Sequence, residues 1–191
     1  MLRNRLLLTI AVAILIPTLG QAQTKQNVDT WFPILRVGMW VKVEGMMRDG
    51  ALHADEIRIY AGDLDEWEIS SNVVEIDVTQ MTLKTGFGVT IQASERTDLQ
   101  GPNGHKHIGF PFLSVGDRLE IEGQWQKEGL FIAEEIEVED SKRLEPKLEY
   151  KNEHEVTARI ESVDPETSSV QMVGVRVFFD QKTRNKSLRL Y

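Results

Sequence analysis

The chain contains 191 residues and no cysteine, which excludes disulfide bonds, thiolate metal sites and a lipidated cysteine. It carries 22 lysine and arginine residues against 30 aspartate and glutamate residues, a formal charge of −8. A negative field repels phosphate backbones, so we expect no nucleic acid partner, whereas cations and cationic peptides are compatible with it.

The first element is a predicted secretory signal peptide at residues 1–22. Two arginines precede an apolar run from Leu6 to Leu19, and small residues, Gly20 and Ala22, follow at the positions that a signal peptidase reads. The run is too short for a stable membrane-spanning helix, and the alternative is an uncleaved N-terminal anchor. We therefore expect a periplasmic or secreted protein, not a lipoprotein, with no membrane span after cleavage. Removal of the two arginines makes the formal charge −10.

After a lead-in at residues 23–31, the segment 32–62 is predicted to be a β-hairpin. Apolar and polar residues alternate along it, which is typical of strands that are buried on one face. The dipeptide Asp49-Gly50 marks the turn. Trp40 stands on the outward set of positions, where an aromatic ring would be exposed.

The hairpin has a second copy later in the chain. Phe32–Gly45 recurs as Phe110–Gly123 at a spacing of 78 residues, with seven identities in fourteen positions. Asp49–Ile57 recurs at a spacing of 79 as Glu128–Ile136. Agreement at a nearly constant spacing indicates an internal repeat. The glycine that ends the first block falls at an inward position in both copies, where a strand bends or bulges.

A second repeated unit supplies one long strand and a further hairpin. Glu66–Asp77 recurs as Glu153–Asp164 at a spacing of 87 residues. This unit followed by the hairpin makes five strands, with a long connection at about residues 94–110. That strand count and spacing predict a small OB-type barrel. Residues 66–140 therefore form one complete predicted barrel.

Two half-units remain at the ends, residues 32–62 and 151–184, followed by a tail at 185–191. Each half alone would expose sheet edges and half of a core, which is costly. We expect the two halves to pair as a circularly permuted second barrel. Side chains of the first half would then contact those of the last: Val41, Val43 and Ile57 with Val156, Ile160 and Val175. The alternative partition cuts the chain into units at 32–97 and 110–184.

The two halves of the repeat resemble domain-of-unknown-function family 5666. The segments that carry the likeness are "HEVTARIESVDPETSSVQMVGVRVFFDQKTR" and "LSVGDRLEIEGQWQKEGLFIAEEIEVE". The resemblance implies a bacterial exported domain with an OB-like barrel, often repeated in tandem, and it implies no particular chemistry. Asp117 of the second copy is Met39 in the first, which makes the first copy the more divergent.

Three residues are candidates for ligand binding. Trp40 is predicted to be an exposed aromatic, because its counterpart in the second copy is Arg118. Arg176 and Phe178 lie on the outward positions of a strand in the other half, and in OB barrels the second and third strands form the usual binding face. The alternative is that these side chains pack between the two barrels.

Two histidines are candidate metal ligands. His105 and His107 lie two residues apart in a glycine-rich segment, and imidazole is a common metal ligand. No third ligand follows by spacing, so the alternative is a solvated loop. The acidic stretches near Asp63 and Glu134 lack the ligand pattern of a calcium loop and are expected to be solvated.

The sequence predicts a binding protein rather than an enzyme. It contains no Gly-x-Ser-x-Gly, Walker loop or His-Glu-x-x-His motif, and no cofactor is expected. We expect an exported OB-like binding or adaptor module whose partner is an unknown small ligand or a protein. The alternatives are a structural or protein-interaction role, and the binding of a divalent cation or a cationic small molecule.

Overall fold

The computed structural model describes residues 27–102, 105–126, 129–140 and 153–187. The predicted signal peptide and residues 188–191 of the predicted tail lie outside the described residues. A helix of four residues, α1 (Val28–Trp31), precedes the strands, and a 3₁₀ turn stands before each copy of the hairpin, at Phe32–Ile34 and Phe110–Phe112. Within the described ranges, no helix has the length and apolar character needed to cross a membrane.

Nearly all of the remaining regular structure in the described ranges is β, so the prediction of an all-β chain is confirmed. The strands are β1 (Trp40–Arg48), β2 (Ala51–Ile59), β3 (Trp67–Asp77), β4 (Thr82–Thr85), β5 (Thr90–Gln92), β6 (Asp98–Gly101), β7 (His105–Lys106), β8 (Arg118–Gln126), β9 (Leu130–Asp140), β10 (Glu153–Arg159), β11 (Ser162–Asp164), β12 (Ser169–Met172), β13 (Val175–Phe178) and β14 (Arg184–Asn185).

The strands follow the predicted alternation. On β8, Leu119 and Ile121 are fully buried, whereas the intervening Glu120 and Glu122 are only half-buried. The turn between β1 and β2 has left-handed backbone at both Asp49 and Gly50, the geometry of a tight two-residue hairpin loop. Burial of the apolar set on one side of each strand produces the core.

Hydrogen-bonded strand pairs form two closed circuits. The central circuit runs from β3 to β4, β5, β9 and β8, and back to β3, with β5 and β9 parallel. The terminal circuit is closed by the chain itself, which continues from β10 into β11; pairing then leads to β12, β13, β2 and β1 and back to β10, with β13 and β2 parallel. In it Val43 lies opposite Val156, so the N-terminal hairpin pairs with the C-terminal segment of the same chain.

The two circuits are joined, which modifies the predicted picture of two separate barrels. β10 pairs with β3 in antiparallel register, so all fourteen described strands belong to one sheet. Val156 lies opposite Ile69 in this pair, and the two are counterparts at the repeat spacing of 87. The junction therefore has local two-fold symmetry, with the first strand of one circuit bonded to the first strand of the other.

Gly45 and Gly123 stand at bulges, as their inward positions predict. The register of β1 against β2 shifts at Gly45, and that of β8 against β9 shifts at Gly123. A Cβ atom at Gly123 would lie 2.0 Å from the carbonyl oxygen of Ile132, and one at Gly45 would lie 2.2 Å from that of His53. Only glycine allows the partner backbone to approach this closely.

Candidate functional site

A cavity of about 760 Å³ lies between the N-terminal helical turn, the hairpin β1–β2 and strand β14. We call it the tryptophan cavity. Its lining combines aromatic and apolar side chains with polar ones; the former are Trp31, Ile34, Met39, Trp40, Ile59 and Tyr60, and the latter are Thr30, Asp63, Asn185 and Ser187. Sites for small ligands have volumes of roughly 300–1,000 Å³ and linings of this character. The cavity is therefore large enough to hold a small organic molecule.

Trp40 is buried, so the prediction that its ring is exposed is wrong. Its side chain is 2% exposed, and its ring meets that of Trp67 edge-on at 5.0 Å between centroids. The guanidinium of Arg159 lies 5.2 Å from the ring centroid. Trp40 belongs to the terminal circuit and Trp67 to the central circuit. The contact is therefore packing between the two units, which the sequence offered as the alternative to an exposed ring. Trp40 nevertheless lines the cavity.

Trp31 forms the neighbouring part of the wall. Its ring meets Phe179 edge-on at 5.4 Å and lies 6.3 Å from the ring of Phe32. Asn27 caps the short helix that carries it by accepting a hydrogen bond from the backbone N–H of Asp29. The lead-in residues thus fix the position of Trp31 over the core.

The two tryptophans share an unusual feature. The indole Nε1 of Trp31 and that of Trp40 are both shielded from solvent, and neither has a hydrogen-bond acceptor in the described part of the chain. A buried donor without a partner costs about 1–3 kcal/mol, and such groups are rare in folded proteins. Two of them in the wall of one cavity indicate a place where an acceptor from outside the chain would stabilise the structure.

Arg176 and Phe178 do not join Trp40. Arg176 is exposed on β13, and Phe178 is half-buried, with its ring stacked on His53 at 5.5 Å between centroids. Neither is among the described residues that line the tryptophan cavity. The alternation of β13 places them on the outer face, as predicted, but this face lies away from the cavity.

The histidine pair gains no support from its surroundings. His105 lies on β7 opposite Gly101, and the placement of its side chain lies outside what the structure describes. His107 is 81% exposed, with its Nδ1 at 3.4 Å from Oδ1 of Asp98. Across the described ranges, no cluster of three or more histidine, aspartate or glutamate side chains is arranged to hold a metal ion.

A strip of glutamates lies on the outer face of the sheet, of which the sequence singled out only the part near Glu134. We call it the acidic strip; its members are Glu68 on β3, Glu120 and Glu122 on β8, Glu135 and Glu137 on β9, and Glu155 on β10. Burial, and then the neighbouring acids, raise the pKa of Glu122 to about 7. The alternation of glutamates along each strand was visible, but the pairing of β3 with β10, which brings the strands together, was not.

A buried serine–histidine pair links β3, which carries Ser71, to β10, which carries His154. The hydroxyl of Ser71 is 2.9 Å from Nδ1 of His154, and the ring of Phe87 meets the imidazole edge-on. Burial, and then the positive charge of Arg118, lower the pKa of His154 to about 4. Both residues are almost fully inaccessible, so the pair serves packing rather than contact with a substrate.

We expect His154 to make the protein acid-sensitive. Its folded pKa of about 4 lies below the ordinary value of 6.5, so the unfolded chain binds the extra proton between these two values. Its contribution is therefore complete above pH 6.5 and is lost as the pH falls towards 4, by about 2–3 kcal/mol in total. Urea denaturation of the wild type and of His154→Gln at several pH values in this range gives the slope of the free energy of unfolding against pH, which should be smaller for the variant.

The wild type has to be compared with the variant because two glutamates change the free energy of unfolding with pH in the opposite direction. The pKa values of Glu122 and Glu155 are raised to about 7, so their contributions weaken as the pH rises through the same range. His107→Gln, at an exposed histidine, is the matched control and should leave the slope unchanged. Equal slopes for the wild type and His154→Gln would contradict the prediction.

The two circuits of paired strands define an all-β protein with a cavity beside its N-terminal hairpin. Residues 20–58 and 69–137 match the family described as a domain of unknown function, DUF5666. The match covers more than half of the chain, and the protein therefore belongs to this family, as the resemblance predicted. The second matched segment spans most of the central circuit. Comparisons with curated proteins and with solved structures give no match.

Proposed function

We propose that this protein is an exported, non-catalytic binding module and that the tryptophan cavity holds its ligand. The observation that carries the proposal is that Trp31 and Trp40 both line a cavity of about 760 Å³ and that their indole N–H groups have no acceptor among the described residues. In this proposal residues 66–140 form one unit, and residues 32–62 and 151–184 together form the second. The ligand binds to the second unit.

The chemistry of the wall indicates the kind of ligand. Aromatic and apolar side chains favour a molecule with a flat or apolar body. Two unpaired donors favour oxygen acceptors on that body, such as hydroxyl, carbonyl or carboxylate oxygens. At the rim, Asp63 lies 3.3 Å from Arg159, so one exposed ion pair stands beside the opening. Oligosaccharides combine a stacking face with many acceptors and are the first class to test.

A ligand of this site should lose affinity when one indole N–H is removed. We expect Trp40→Phe, which keeps a ring and deletes the donor, to weaken binding by about tenfold or more, the effect of one lost hydrogen bond. The measurement is a thermal-shift screen of the chain from Gln23 onward against cell-wall oligosaccharides, polyamines, cationic peptides and divalent metals. It is followed by titration of each hit against the wild type and the variant.

Trp125→Phe is the matched control, because Trp125 is half-buried on β8 and does not line the cavity. It should retain the affinity of the wild type. A hit with equal affinity for the wild type and Trp40→Phe would show that the ligand binds outside the tryptophan cavity. A screen without hits would count against a small ligand and favour the second function below.

The second candidate function is an interaction with another protein. Ile34 and Val37 are exposed beside the first 3₁₀ turn, and their counterparts at a spacing of 78, Phe112 and Val115, are exposed beside the second. Apolar side chains at equivalent places in two repeats would offer a partner two similar contacts. The tryptophan cavity is the better supported site because it combines volume with unpaired donors.

A further inference from the structure

A second, smaller cavity lies on the outer face where the two circuits meet. Its volume is about 380 Å³, and its lining includes Tyr60, Glu66, Glu68, Glu122 and Thr157. Tyr60 and Thr157 come from the terminal circuit or its margin, and Glu68 and Glu122 from the central circuit. We call it the seam cavity. Tyr60 lines both cavities, whereas the glutamates of the seam cavity do not line the tryptophan cavity.

The strand register concentrates negative charge at this cavity. Across the sheet, Thr157 lies opposite Glu68, Glu68 opposite Glu122, and Glu122 opposite Glu135. Side chains at directly opposite positions have Cβ atoms only about 4.5–5.5 Å apart, and like charges there are destabilising. The sequence thus maintains an arrangement that works against its own stability, which favours a role in binding.

One described cation, Lys42, pairs with Glu68 but with neither of the other two glutamates of the cavity. Nζ of Lys42 lies 3.2 Å from Oε1 of Glu68, and it also forms an ion pair with Glu155. Within the described ranges, no lysine, arginine or histidine forms an ion pair with Glu66 or Glu122. No cation of the described residues therefore balances the charge of these two carboxyls, and a cation from outside the chain could do so.

The surroundings of Glu122 favour its protonated form. Burial raises the pKa of Glu122 to about 7, and the hydrogen bond that its protonated form donates to Glu66 and the charges of Glu66, Glu135 and Glu120 add to the effect. A carboxyl of this kind carries a proton part of the time at neutral pH. A cation entering the cavity would displace that proton.

An independent feature in the wall also indicates a missing partner. Thr157 is 4% exposed, and among the described residues its Oγ1 has no hydrogen-bond partner. Its counterpart at the spacing of 87 is Ser70, whose hydroxyl donates a hydrogen bond of 2.9 Å to Oε2 of Glu139. The counterpart of Glu139, at the spacing of 79, is Tyr60.

The comparison of the two copies explains how the cavity arises. In the central circuit the hydroxyl at this position is satisfied by a carboxylate from the neighbouring hairpin, Glu139. In the terminal circuit that carboxylate is replaced by Tyr60, and the hydroxyl of Thr157 is left without a partner among the described residues. The replacement puts an aromatic wall where the other copy has an internal acceptor.

We propose that the seam cavity binds a primary ammonium group carried on an aliphatic chain, as in a linear diamine or a lysine side chain. An ammonium has three N–H donors, and Glu66, Glu122 and the hydroxyl of Thr157 present acceptors for them. The aliphatic chain lies along Tyr60 and Leu64, and a cation beside the face of a tyrosine ring is favourable. Bare metal ions fit less well, since the described acidic groups form no metal-binding cluster.

The test is isothermal titration of the full chain near neutral pH with 1,5-diaminopentane and, separately, with Nα-acetyl-lysine methylamide. We expect both to bind, and we expect Glu122→Gln and Thr157→Val to weaken binding by about tenfold each. Glu137→Gln is the matched control: it removes one acid from the same acidic strip at an exposed position that does not line the cavity, and its affinity should match the wild type. Thr157→Val should also raise the melting temperature of the unliganded protein, because it deletes an unsatisfied buried hydroxyl.

Proton release separates specific binding from general attraction to a negative surface. Titration in buffers of different ionisation enthalpy should show release of protons on binding near pH 7, and almost none near pH 9, where Glu122 is already ionised. Failure of both amines to bind would overturn the proposal. An equal loss in Glu137→Gln, or binding of calcium in place of the amines, would overturn it as well.

This inference stands apart from the proposed ligand of the tryptophan cavity. Trp40→Phe should retain amine binding, and Glu122→Gln should retain the hits of the oligosaccharide screen. The two variants therefore show which of the two proposals has failed, if one does.

Discussion

A Gly123→Ala variant is expected to lose about 3 kcal/mol or more of its free energy of unfolding. The added Cβ would lie 2.0 Å from the carbonyl oxygen of Ile132, so strands β8 and β9 would have to separate at the bulge. Because a backbone atom causes the clash, no rotation of a side chain can relieve it. Gly45→Ala should behave alike, since its Cβ would lie 2.2 Å from the oxygen of His53. Urea denaturation followed by circular dichroism measures both losses.

Gly62→Ala is the matched control for this prediction. A methyl group added at Gly62 would meet no heavy atom of the described residues within 4 Å, and the backbone there is outside the left-handed region. The free energy of unfolding should change by less than about 0.5 kcal/mol. A Gly123→Ala variant as stable as Gly62→Ala would show that the bulge adapts at little cost, contrary to the clash expected from its geometry.

Replacement of Val156 by aspartate should have the second large effect, a loss of about 4 kcal/mol or more. Val156 is 1% exposed and lies between Val43 on β1 and Ile69 on β3, so a carboxylate there would be buried among apolar side chains. Since β10 belongs to the terminal circuit and also pairs with β3, both circuits should lose stability. Unfolding monitored by circular dichroism and by tryptophan fluorescence should show coincident, earlier transitions.

Val74→Asp provides the comparison, because Val74 is half exposed on β3 and the same substitution leaves its carboxylate in water. It should change the free energy of unfolding by less than about 1 kcal/mol. If Val156→Asp unfolded the terminal circuit while the central circuit kept its original transition, the two circuits would be independent units, and the shared sheet would contribute little to their stability.

Both cavities occur where the two copies of the repeat differ. Arg118 in the central copy forms an ion pair of 2.8 Å with Glu139, whereas its counterpart Trp40 packs against Trp67 and lines the tryptophan cavity. Glu139 in turn has Tyr60 as its counterpart, beside the seam cavity. One linked change, from an arginine–glutamate pair to two aromatic residues, therefore accompanies both sites. Residues of the terminal copy line both cavities.

The sequence by itself determined the class of the fold and much of its local geometry. The alternation along β8, the turn at Asp49-Gly50 and the bulge glycines are local properties, because a period of two, a left-handed turn and a missing side chain act within a few residues. The repeat also made the likeness to the family visible, since its spacing needs no coordinates.

Only the tertiary structure decided what covers the outer face of each strand. Alternation correctly placed Trp40 and Glu122 on outward positions, but it carries no information about which distant strand lies against that face. The pairing of β10 with β3 joins residues 87 positions apart in the chain. It buries Trp40 against Trp67, sets Glu68 beside Thr157, and so creates the seam. Contacts of this kind depend on the association of distant strands, and the side-chain pattern of one strand does not encode its partner.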